Sequence, residues 1–570
     1  MHKNRILYLS INSSYSHSSL AYGQLRAYTE KISEKYKWNK IEATINDNQN
    51  DILNKILLFE PGIIVSTLYL YNHEFTIKLS NKLSLLRPDI KIILGGPEFM
   101  GDNHYFLNNN PQIYCVFRGD ETSFPFFLNN IENKSQWSSV NGLCYINKNQ
   151  EYIDNGISRF SDNLDNLPSL YDKFYFDNSK PFLHFETSRG CISRCSFCSS
   201  SLSNGIKLYS LERVASDLNI LKEAGIKEIR ILDRTFNVPL QRSLKLLELF
   251  FSSFSNMKFH IEIDPSKLTH EFISKLSEAK KNQLHIEAGV QTFNEATLKS
   301  TNRMVSNEAV INNLKKLCSL ENIEIHTDLI AGLPEQTYLN IFDDISKLSA
   351  IGPEEIQLEL VKILPGSLIG KNKDKGFKWS PQPPYEILET NSFSFSELSK
   401  ITCLSKIIDS YYNVKVTRNV FRYAITYDNN FLKYFLEHNY SNFLRHDKPA
   451  PSKRFKLLFE YAEKTDNKLL YNITLFTYFM NGFFNSPKNN IELIKKKDLT
   501  VILKDNKINN LWNSNHKLID KPVYLAKFDY NIGDLWLDPF ATLKKGDFKY
   551  LFRLSCAGMS KQVSSVDLIE

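Results

Sequence analysis

The sequence predicts an α/β protein with a doubly wound sheet first, a partial (β/α)6 TIM-like barrel second, and a mainly α domain with some β last. Three observations support this prediction. The chain has 570 residues, more than one ordinary core holds. Strand-like and helix-like stretches alternate in two separate runs, and a charged, proline-rich stretch follows the second run. We therefore expect domains at residues 1–135, 181–368 and 369–570, with a connector at residues 136–180.

The composition is that of a globular protein without a strong charge bias. Hydrophobic residues make up 42% of the chain and charged residues 23%, and the net charge is +7. A charge this small, spread over this length, does not indicate a nucleic-acid partner. Neither a signal-peptide core nor a run of about 18 apolar residues occurs, so we expect a cytoplasmic protein that does not bind a membrane. In that compartment the eight cysteines stay reduced.

The first region predicts five strands joined by helices, as in Rossmann-like or flavodoxin-like sheets. The expected strands are Arg5–Ile11, Ile41–Ile45, Gly62–Ser66, Lys91–Leu94 and Ile113–Phe117. Ligands of such sheets bind at the carboxyl ends of the strands. The loops after these strands carry small and polar residues, among them His17, Gly95, Gly96, Glu98, Gly119 and Glu121. Four such loops together indicate a binding face, although each alone is typical of an ordinary turn.

The second region predicts six strands with a helix between each pair, which favours a partial barrel over a second open sheet. The expected strands are Phe182–Thr187, Glu228–Leu232, Lys258–Ile263, Leu284–Val290, Ile323–Leu329 and Glu355–Lys362. Polar residues lie at the ends of these strands, namely Asp233, Glu262, Gln291 and Asp328, and Gly332 follows closely. Position at the carboxyl ends of barrel strands predicts a site, although each polar residue could instead cap a helix.

The third region predicts helices followed by aromatic, strand-like pieces. The expected helices are Glu389–Tyr412, Asn430–His438, Lys453–Glu463 and Tyr471–Phe484. The region contains no motif with recognisable chemistry. Its many Phe and Tyr residues suit a cover for the barrel mouth or a partner surface, and equally a packed core.

Three cysteines, Cys191, Cys195 and Cys198, follow the first barrel strand within eight residues. Thiolates at this spacing can bind three irons of a [4Fe–4S] cubane and leave the fourth iron open to a substrate. A closed zinc site needs four ligands, and neither His184 nor a later cysteine has the spacing of a zinc ribbon. A disulfide is disfavoured by the odd count and by the reducing compartment. We therefore predict a catalytic iron–sulfur cluster on these three residues.

The Cys-x3-Cys-x2-Cys spacing, with Gly190 before the first cysteine and Phe197 before the last, resembles the radical S-adenosylmethionine (SAM) superfamily. The resemblance implies that the open iron chelates SAM. Reductive cleavage of SAM then gives a 5′-deoxyadenosyl radical, which abstracts a substrate hydrogen. Residues Ile330–Glu335 resemble the family's adenine-contacting segment. By this resemblance the expected contacts of SAM or substrate are Phe197, Asp233, Glu262, Gln291, Asp328 and Gly332.

A doubly wound domain before such a barrel resembles the cobalamin-binding subfamily. The strand ends Gly95–Glu98 and Arg118–Glu121 are similar to that group, which implies cofactor contacts at Gly95, Gly96, Glu98, Gly119, Glu121 and His17. Three stretches resemble a narrower branch with an uncharacterised C-terminal domain, namely Tyr15–Leu20, Asp233–Asn237 and Pro383–Glu386. The Asp-x-His-x-x-Gly signature of histidine-ligated cobalt is absent, which implies base-off binding without that histidine. His17 and His73 lie in loops where either could be a ligand.

The resemblance implies a cobalamin-dependent methyltransferase that acts on an unactivated carbon through a 5′-deoxyadenosyl radical and methylcobalamin. It also implies an electron donor such as flavodoxin or ferredoxin, and we expect the substrate to be a small molecule or a peptide. Three alternatives stay open: a radical rearrangement or cyclisation, a methylthiotransferase, and a corrinoid or cluster sensor without turnover. A methylthiotransferase would carry three cysteines before the barrel, whereas only Cys115 and Cys144 precede it here.

Overall fold

The computed structural model describes residues 4–32, 35–159, 163–203, 205–371, 376–444, 448–483, 491–494, 508–513, 523–537, 541–557 and 560–569. The chain divides into two compact units, residues 1–338 with 360–398 and residues 339–359 with 399–570. Among the described residues, no helix combines the length and the apolar character that crossing a membrane requires.

Seven strands form the first sheet: β1 (Arg5–Asn12), β2 (Lys37–Thr44), β3 (Ile63–Thr67), β4 (Lys91–Gly95), β5 (Ile113–Phe117), β6 (Leu143–Ile146) and β7 (Tyr152–Asp154). Their order is β2-β1-β3-β4-β5-β6-β7, with the first five parallel and the last two antiparallel. The intervening helices are α1 (Leu20–Tyr28), α2 (Gln49–Phe59), α3 (His73–Leu86), α4 (His104–Asn109) and α5 (Phe124–Asn129). The order of the five parallel strands is that of flavodoxin-like sheets.

Both faces of the first sheet are covered, because alternate residues of a strand point to opposite sides. On β1, Leu7 and Leu9 join one buried cluster with residues of α2 and α3. Ile6 and Tyr8 join a second cluster with residues of α1 and α5. Because helices cover both faces, we expect a ligand to bind at the loops of the carboxyl edge.

The first sheet extends beyond residue 135, into the segment expected to be a connector. β6 and β7 form a hairpin at its edge, with Leu143 and Cys144 fully buried. Trp137 is also fully buried and donates its indole N–H to the carbonyl oxygen of Asn130 over 3.1 Å. Strands of four and three residues are too short for a clear alternating pattern, so the sequence did not predict them.

The second sheet contains six parallel strands: β8 (Leu183–Phe185), β11 (Glu228–Ile231), β12 (Lys258–Ile263), β13 (Leu284–Gln291), β14 (Glu324–Ala331) and β15 (Glu355–Leu360). Each strand lies beside the next one along the chain, as in a partial barrel. The helices between them are α6 (Leu211–Glu223), α7 (Leu240–Ser252), α8 (His270–Leu276), α9 (Glu295–Ser300), α10 (Asn307–Cys318) and α11 (Tyr338–Ile351). The six expected strands are thus present.

The two faces of the barrel sheet differ sharply in chemistry. Phe259 and Ile261 of β12 are buried, and the ring of Phe259 stacks on Phe250 of α7 with centroids 4.0 Å apart. The alternate residues, such as His260 and Glu262, must therefore point away from the helices, to the concave side. The concave side of the barrel is lined with half-buried polar residues rather than with an apolar core.

The remaining elements follow the barrel strands along the chain. A short antiparallel pair joins β9 (Ser188–Cys191) to β10 (Gly205–Leu208). After β15 come α12 (Leu368–Lys371), β16 (Lys378–Trp379) and β17 (Ile387–Glu389).

In the described part of the C-terminal region there are six helices: α13 (Phe395–Tyr411), α14 (Lys415–Tyr427), α15 (Phe431–Leu444), α16 (Pro451–Lys464), α17 (Lys468–Met480) and α18 (Ile532–Leu537). It also contains five antiparallel strands: β18 (Ile491–Ile494), β19 (Ile508–Asn513), β20 (Val523–Tyr530), β21 (Lys545–Ala557) and β22 (Ser560–Ile569).

Candidate active site

The three cysteines lie in the loop that leaves the first barrel strand. β9 ends at Cys191 and pairs with β10, which places Gly190 against the backbone of the partner strand. Gly190 has φ of +95°, and a Cβ there would lie 2.2 Å from the carbonyl oxygen of Gly205. Glycine is therefore required at this position for the loop to form. Phe197 is half-buried between Cys195 and Cys198, and the three thiols are not paired in disulfides.

Groups that stabilise negative charge surround two of the thiols. The hydroxyl of Thr235 and the backbone N–H of Ser193 each lie 3.4 Å from the Cys191 sulfur. Arg303 Nη1 donates to the sulfur of Cys195 over 3.7 Å. Burial raises the pKa of the Cys195 thiol, and the charge of Arg303 opposes that rise. This donor set suits thiolates that bind an anionic iron–sulfur cluster.

Asp233 holds the strand that leads into the cysteine loop. Its buried carboxylate accepts hydrogen bonds from the backbone N–H groups of Thr187 and Ser188, over 2.8 and 3.0 Å, and from the Thr187 hydroxyl. Burial raises the pKa of Asp233, and these hydrogen bonds oppose the rise. Both carboxylate oxygens therefore serve to fix the backbone three and four residues before Cys191.

Three acidic residues from neighbouring strands lie together on the concave face. Glu262 of β12 pairs in register with Glu287 of β13, and Asp328 follows on β14. Arg234 reaches Glu262, with Nη1 and Oε1 3.5 Å apart. Burial and the charge of Glu287 raise the pKa of Asp328 far above its usual range, so a proton stays on this pair at neutral pH. Such a cluster can accept hydrogen bonds from a ligand.

Gln291 and Gly332 lie at the carboxyl ends of β13 and β14, the strands that carry Glu287 and Asp328. Gln291 has φ of +72° at an irregularity of β13, and its buried Oε1 has no hydrogen-bond partner in the structure. A buried acceptor without a partner is costly, which points to a donor that a ligand would supply. Arg303 Nη2 donates to the carbonyl oxygen of Gly289 beside it. Gly332 follows β14 and packs near Val361 and Ile387.

A layer of imidazoles crosses the concave face below these acids. His184, Arg230, His260 and His285 are consecutive partners across β8, β11, β12 and β13. The rings of His260 and His285 stack with centroids 4.6 Å apart. Burial lowers the pKa of His184 and of His285 to about 4, so both are neutral at physiological pH. The sequence did not predict this layer, because single histidines on three separate strands form no local motif.

A cavity of about 180 Å³ opens at the carboxyl edge of the first sheet. Residues at the ends of β3, β4 and β5 line it, with others from α1 and α5. Its walls include four of the residues that the sequence analysis selected, namely Gly95, Gly96, Gly119 and Glu121. Tyr69 also lines the cavity, and its ring stacks on Tyr71 with centroids 5.4 Å apart. The cavity is lined mainly by apolar and small residues, with Asp120 and Glu121 as its charged groups.

Glu98 and His17 lie outside the residues that line this cavity. Glu98 is buried and accepts hydrogen bonds from His73 Nδ1 over 2.7 Å and from the Tyr385 hydroxyl over 2.9 Å. His17 Nδ1 lies 2.8 Å from the Ser14 hydroxyl, and its ring packs against Phe182 at 5.3 Å. The structure therefore brings neither histidine to the cavity wall.

Comparison with known families decides the class of the barrel. Residues 185–347 match the family described as the Radical SAM superfamily, and this match includes all three cysteines and all six expected contacts of SAM or substrate. The chain contains a radical SAM domain. A radical SAM domain implies a [4Fe–4S] cluster and SAM, and the protein is a radical SAM enzyme. Residues 373–547 match a protein family of unknown function, DUF4080.

The relatives of this radical SAM enzyme include methyltransferases. It is 25% identical over 386 residues to the uncharacterized methyltransferase PH0819 of Pyrococcus horikoshii, covering 64% of this chain and 81% of that protein. It is 20% identical to the cobalamin-dependent radical SAM methyltransferase TokK of Streptomyces tokunonensis, covering 67% of this chain but 59% of TokK.

Two solved structures share the fold of the radical SAM enzyme. The cobalamin-dependent SAM radical enzyme OxsB, with aqua-cobalamin bound, has a TM-score of 0.57 at 17% identity, covering 82% of this chain and 76% of OxsB. The methyltransferase TsrM of Kitasatospora setae has a TM-score of 0.53 at 14% identity, covering 67% of this chain and 80% of TsrM.

Proposed function

We propose that this protein is a cobalamin-dependent radical SAM methyltransferase that methylates an unactivated carbon of a small molecule or peptide. One observation carries the proposal. A cavity at the carboxyl edge of a flavodoxin-like sheet precedes a radical SAM barrel in the same chain. The names of TokK and TsrM, which describe methyltransferases, support the reaction type.

The residues present fit the three cofactors. Cys191, Cys195 and Cys198 would hold the cluster. Glu262, Gln291, Asp328 and Gly332 would contact SAM, with Phe197 beside the cluster and Asp233 fixing the loop. Gly95, Gly96, Gly119 and Glu121 would line the corrinoid site, with Glu98 and His17 in the loops around it. When bound, these groups supply an electron, a carbon-centred radical and a methyl donor.

The side chains of this protein position and protect those groups. Arg303 places positive charge beside Cys195 and stabilises its thiolate. The Glu287–Asp328 pair holds one proton on the concave face and can exchange hydrogen bonds with a polar substrate. The neutral imidazoles of His184 and His285 beneath offer further acceptors without adding charge.

The cysteines argue against a methylthiotransferase, although some relatives carry that name at 25% identity over 27–28% of this chain. Cys115 and Cys144 are both fully buried, and they belong to clusters on opposite faces of the first sheet. Two thiols separated by a sheet cannot share an auxiliary cluster. A radical rearrangement or cyclisation would use the same residues and remains the second candidate, with OxsB as the structural relative whose name specifies no methyl transfer. A sensor without turnover would not form 5′-deoxyadenosine, so the experiment below separates it from an enzyme.

We further propose domain boundaries at residues 180 and 368, with the hairpin of β6 and β7 in the segment 136–180 assigned to the first domain. We also propose a cytoplasmic location and an electron donor such as flavodoxin or ferredoxin. The DUF4080 match begins at residue 373, close to the last of these boundaries. No described helix could span a membrane.

Anaerobic reconstitution tests the proposal. The purified protein is loaded with iron and sulfide, mixed with hydroxocobalamin and desalted. We expect a retained corrinoid spectrum, and 5′-deoxyadenosine on addition of SAM and reductant. Cys195→Ala should abolish 5′-deoxyadenosine formation, whereas Cys318→Ala, which removes a thiol from α10, should not. Loss of corrinoid on desalting, or product formation by the Cys195 variant, would contradict the proposal.

A further inference from the structure

An arginine two positions before Cys191 joins the cysteine loop to the wall of the cavity. Arg189 is buried, and its Nη2 donates to Oε1 of Glu121 over 2.9 Å. Glu121 is one of the two charged residues that line the cavity. The Nε of Arg189 donates to Glu186 over 2.9 Å, and Gln24 of α1 donates to the same carboxylate oxygen over 3.0 Å.

Hydrogen bonds and close packing fix both Arg189 and the backbone around it. The guanidinium holds its two carboxylates in a fixed planar fork, and burial excludes competing water. Just before Arg189 in the chain, the backbone N–H groups of Thr187 and Ser188 donate to the Asp233 carboxylate. Gly190 lies tightly against β10. A displacement of Cys191 is therefore passed to Arg189 and from there to the Glu121 carboxylate, rather than being absorbed by the loop.

We infer that Arg189 is a positioning residue that couples cluster binding at Cys191 to corrinoid binding in the cavity. The inference rests on the proposed function, which places cobalamin in that cavity. With the cluster bound, iron fixes Cys191, and Arg189 then holds Glu121 in place on the cavity wall. A ligand that enters a wall already fixed has less conformational entropy to remove, so it binds more tightly. By linkage, corrinoid binding favours the cluster-bound loop by the same factor.

The experiment measures the affinity for hydroxocobalamin in two forms of the full-length protein. One form carries the reconstituted cluster, and the other has been stripped of iron with a chelator under anaerobic conditions. The corrinoid absorption after equilibrium dialysis gives each dissociation constant. We expect the cluster-loaded wild type to bind about tenfold more tightly, within the roughly 5- to 150-fold range of measured couplings between sites.

Two variants remove the connection in different ways. Arg189→Lys keeps the charge but loses the fork, and Glu121→Gln keeps the shape but loses the ion pair. Both should retain iron, and in both the affinity ratio between the two forms should fall to about 1, a loss of the whole coupling. Arg118→Lys is the matched control, because Arg118 is also a partly buried arginine near the cavity but pairs with Asp154 instead of the cysteine loop. Its ratio should equal that of the wild type.

The outcomes separate this inference from the proposed function. Absence of hydroxocobalamin binding in both wild-type forms would overturn the proposed function and the coupling with it. Binding with equal affinity in both wild-type forms would leave the proposed function standing and overturn the coupling. A wild-type ratio that persists in Arg189→Lys or in Glu121→Gln would overturn the role of Arg189. If one variant does not fold, the other decides, since the two changes lie in different strands and loops.

Discussion

Gly190→Ala and Gly205→Ala make a matched pair, because the two glycines lie on the paired strands β9 and β10 and both have positive φ, +95° and +79°. Alanine in the left-handed region costs about 1–2 kcal/mol at either site. At Gly205 a Cβ would have no heavy atom within 4 Å, so we expect only that strain. At Gly190 the Cβ would lie 2.2 Å from the Gly205 carbonyl oxygen, so the strands must move apart by about 1 Å.

That movement should break at least one hydrogen bond of the pair, which adds about 0.5–1.5 kcal/mol. The total for Gly190→Ala is then about 1.5–3.5 kcal/mol, and the backbone shift falls on the residue next to Cys191. We expect Gly205→Ala to bind a full complement of iron and sulfide after reconstitution, and Gly190→Ala to bind less than half as much. Iron and sulfide content per chain, with thermal unfolding of the metal-free proteins, measures both effects. Equal iron content in the two variants would refute the steric reasoning.

Three further predictions concern residues around the site. Because the pKa of Asp328 is raised in the folded state, the folded protein binds more protons than the unfolded chain above pH 3.8, and the free energy of unfolding falls as pH rises from there towards the raised pKa. Thermal unfolding should therefore show Asp328→Asn gaining stability relative to wild type between pH 5 and pH 8, and a stability difference that does not change with pH would contradict the raised pKa. Arg303→Met should raise the pKa of Cys195 in the metal-free protein, seen as a higher midpoint in the pH profile of iodoacetamide labelling at that thiol, whereas Arg303→Lys should keep most of the effect. Tyr385→Phe removes a hydrogen bond to the Glu98 carboxylate and should lower the free energy of unfolding, measured in urea, by about 1.5–3 kcal/mol. A loss of less than about 0.5 kcal/mol would contradict a stabilising role for this hydrogen bond.

The sequence predicted most of the secondary structure because long, strongly periodic elements carry their own signal. The expected barrel strand Lys258–Ile263 matches β12 at both ends, and the expected strand Ile113–Phe117 matches β5. Helix α14 was not predicted, although it is strongly amphipathic in the structure. The short strands β6 and β7 were missed because three or four residues give too few alternations to detect.

The candidate site likewise contains residues that a local sequence pattern predicts and residues that only the fold brings together. The cysteine triad was recognisable because its spacing lies within eight residues, and the family match includes it. The partners of those residues were not, since Arg303 lies 108 positions from Cys195 and Arg189 lies 68 positions from Glu121. Such pairs follow from how strands and loops are brought together in the fold. The roles of Glu262, Gln291, Asp328 and the other selected contacts remain predictions.

The hydrogen bond between Glu98 and Tyr385 joins residues 287 positions apart, so it cannot form early in the synthesis of the chain. A ribosome that adds about 5–20 residues per second needs about 15–60 s to travel from one residue to the other. During that interval the β4 loop of a nascent chain can close on His73 but not on the Tyr385 hydroxyl. The loop after β4 therefore lacks one of the two hydrogen bonds to Glu98 until the segment that follows the barrel has been synthesised.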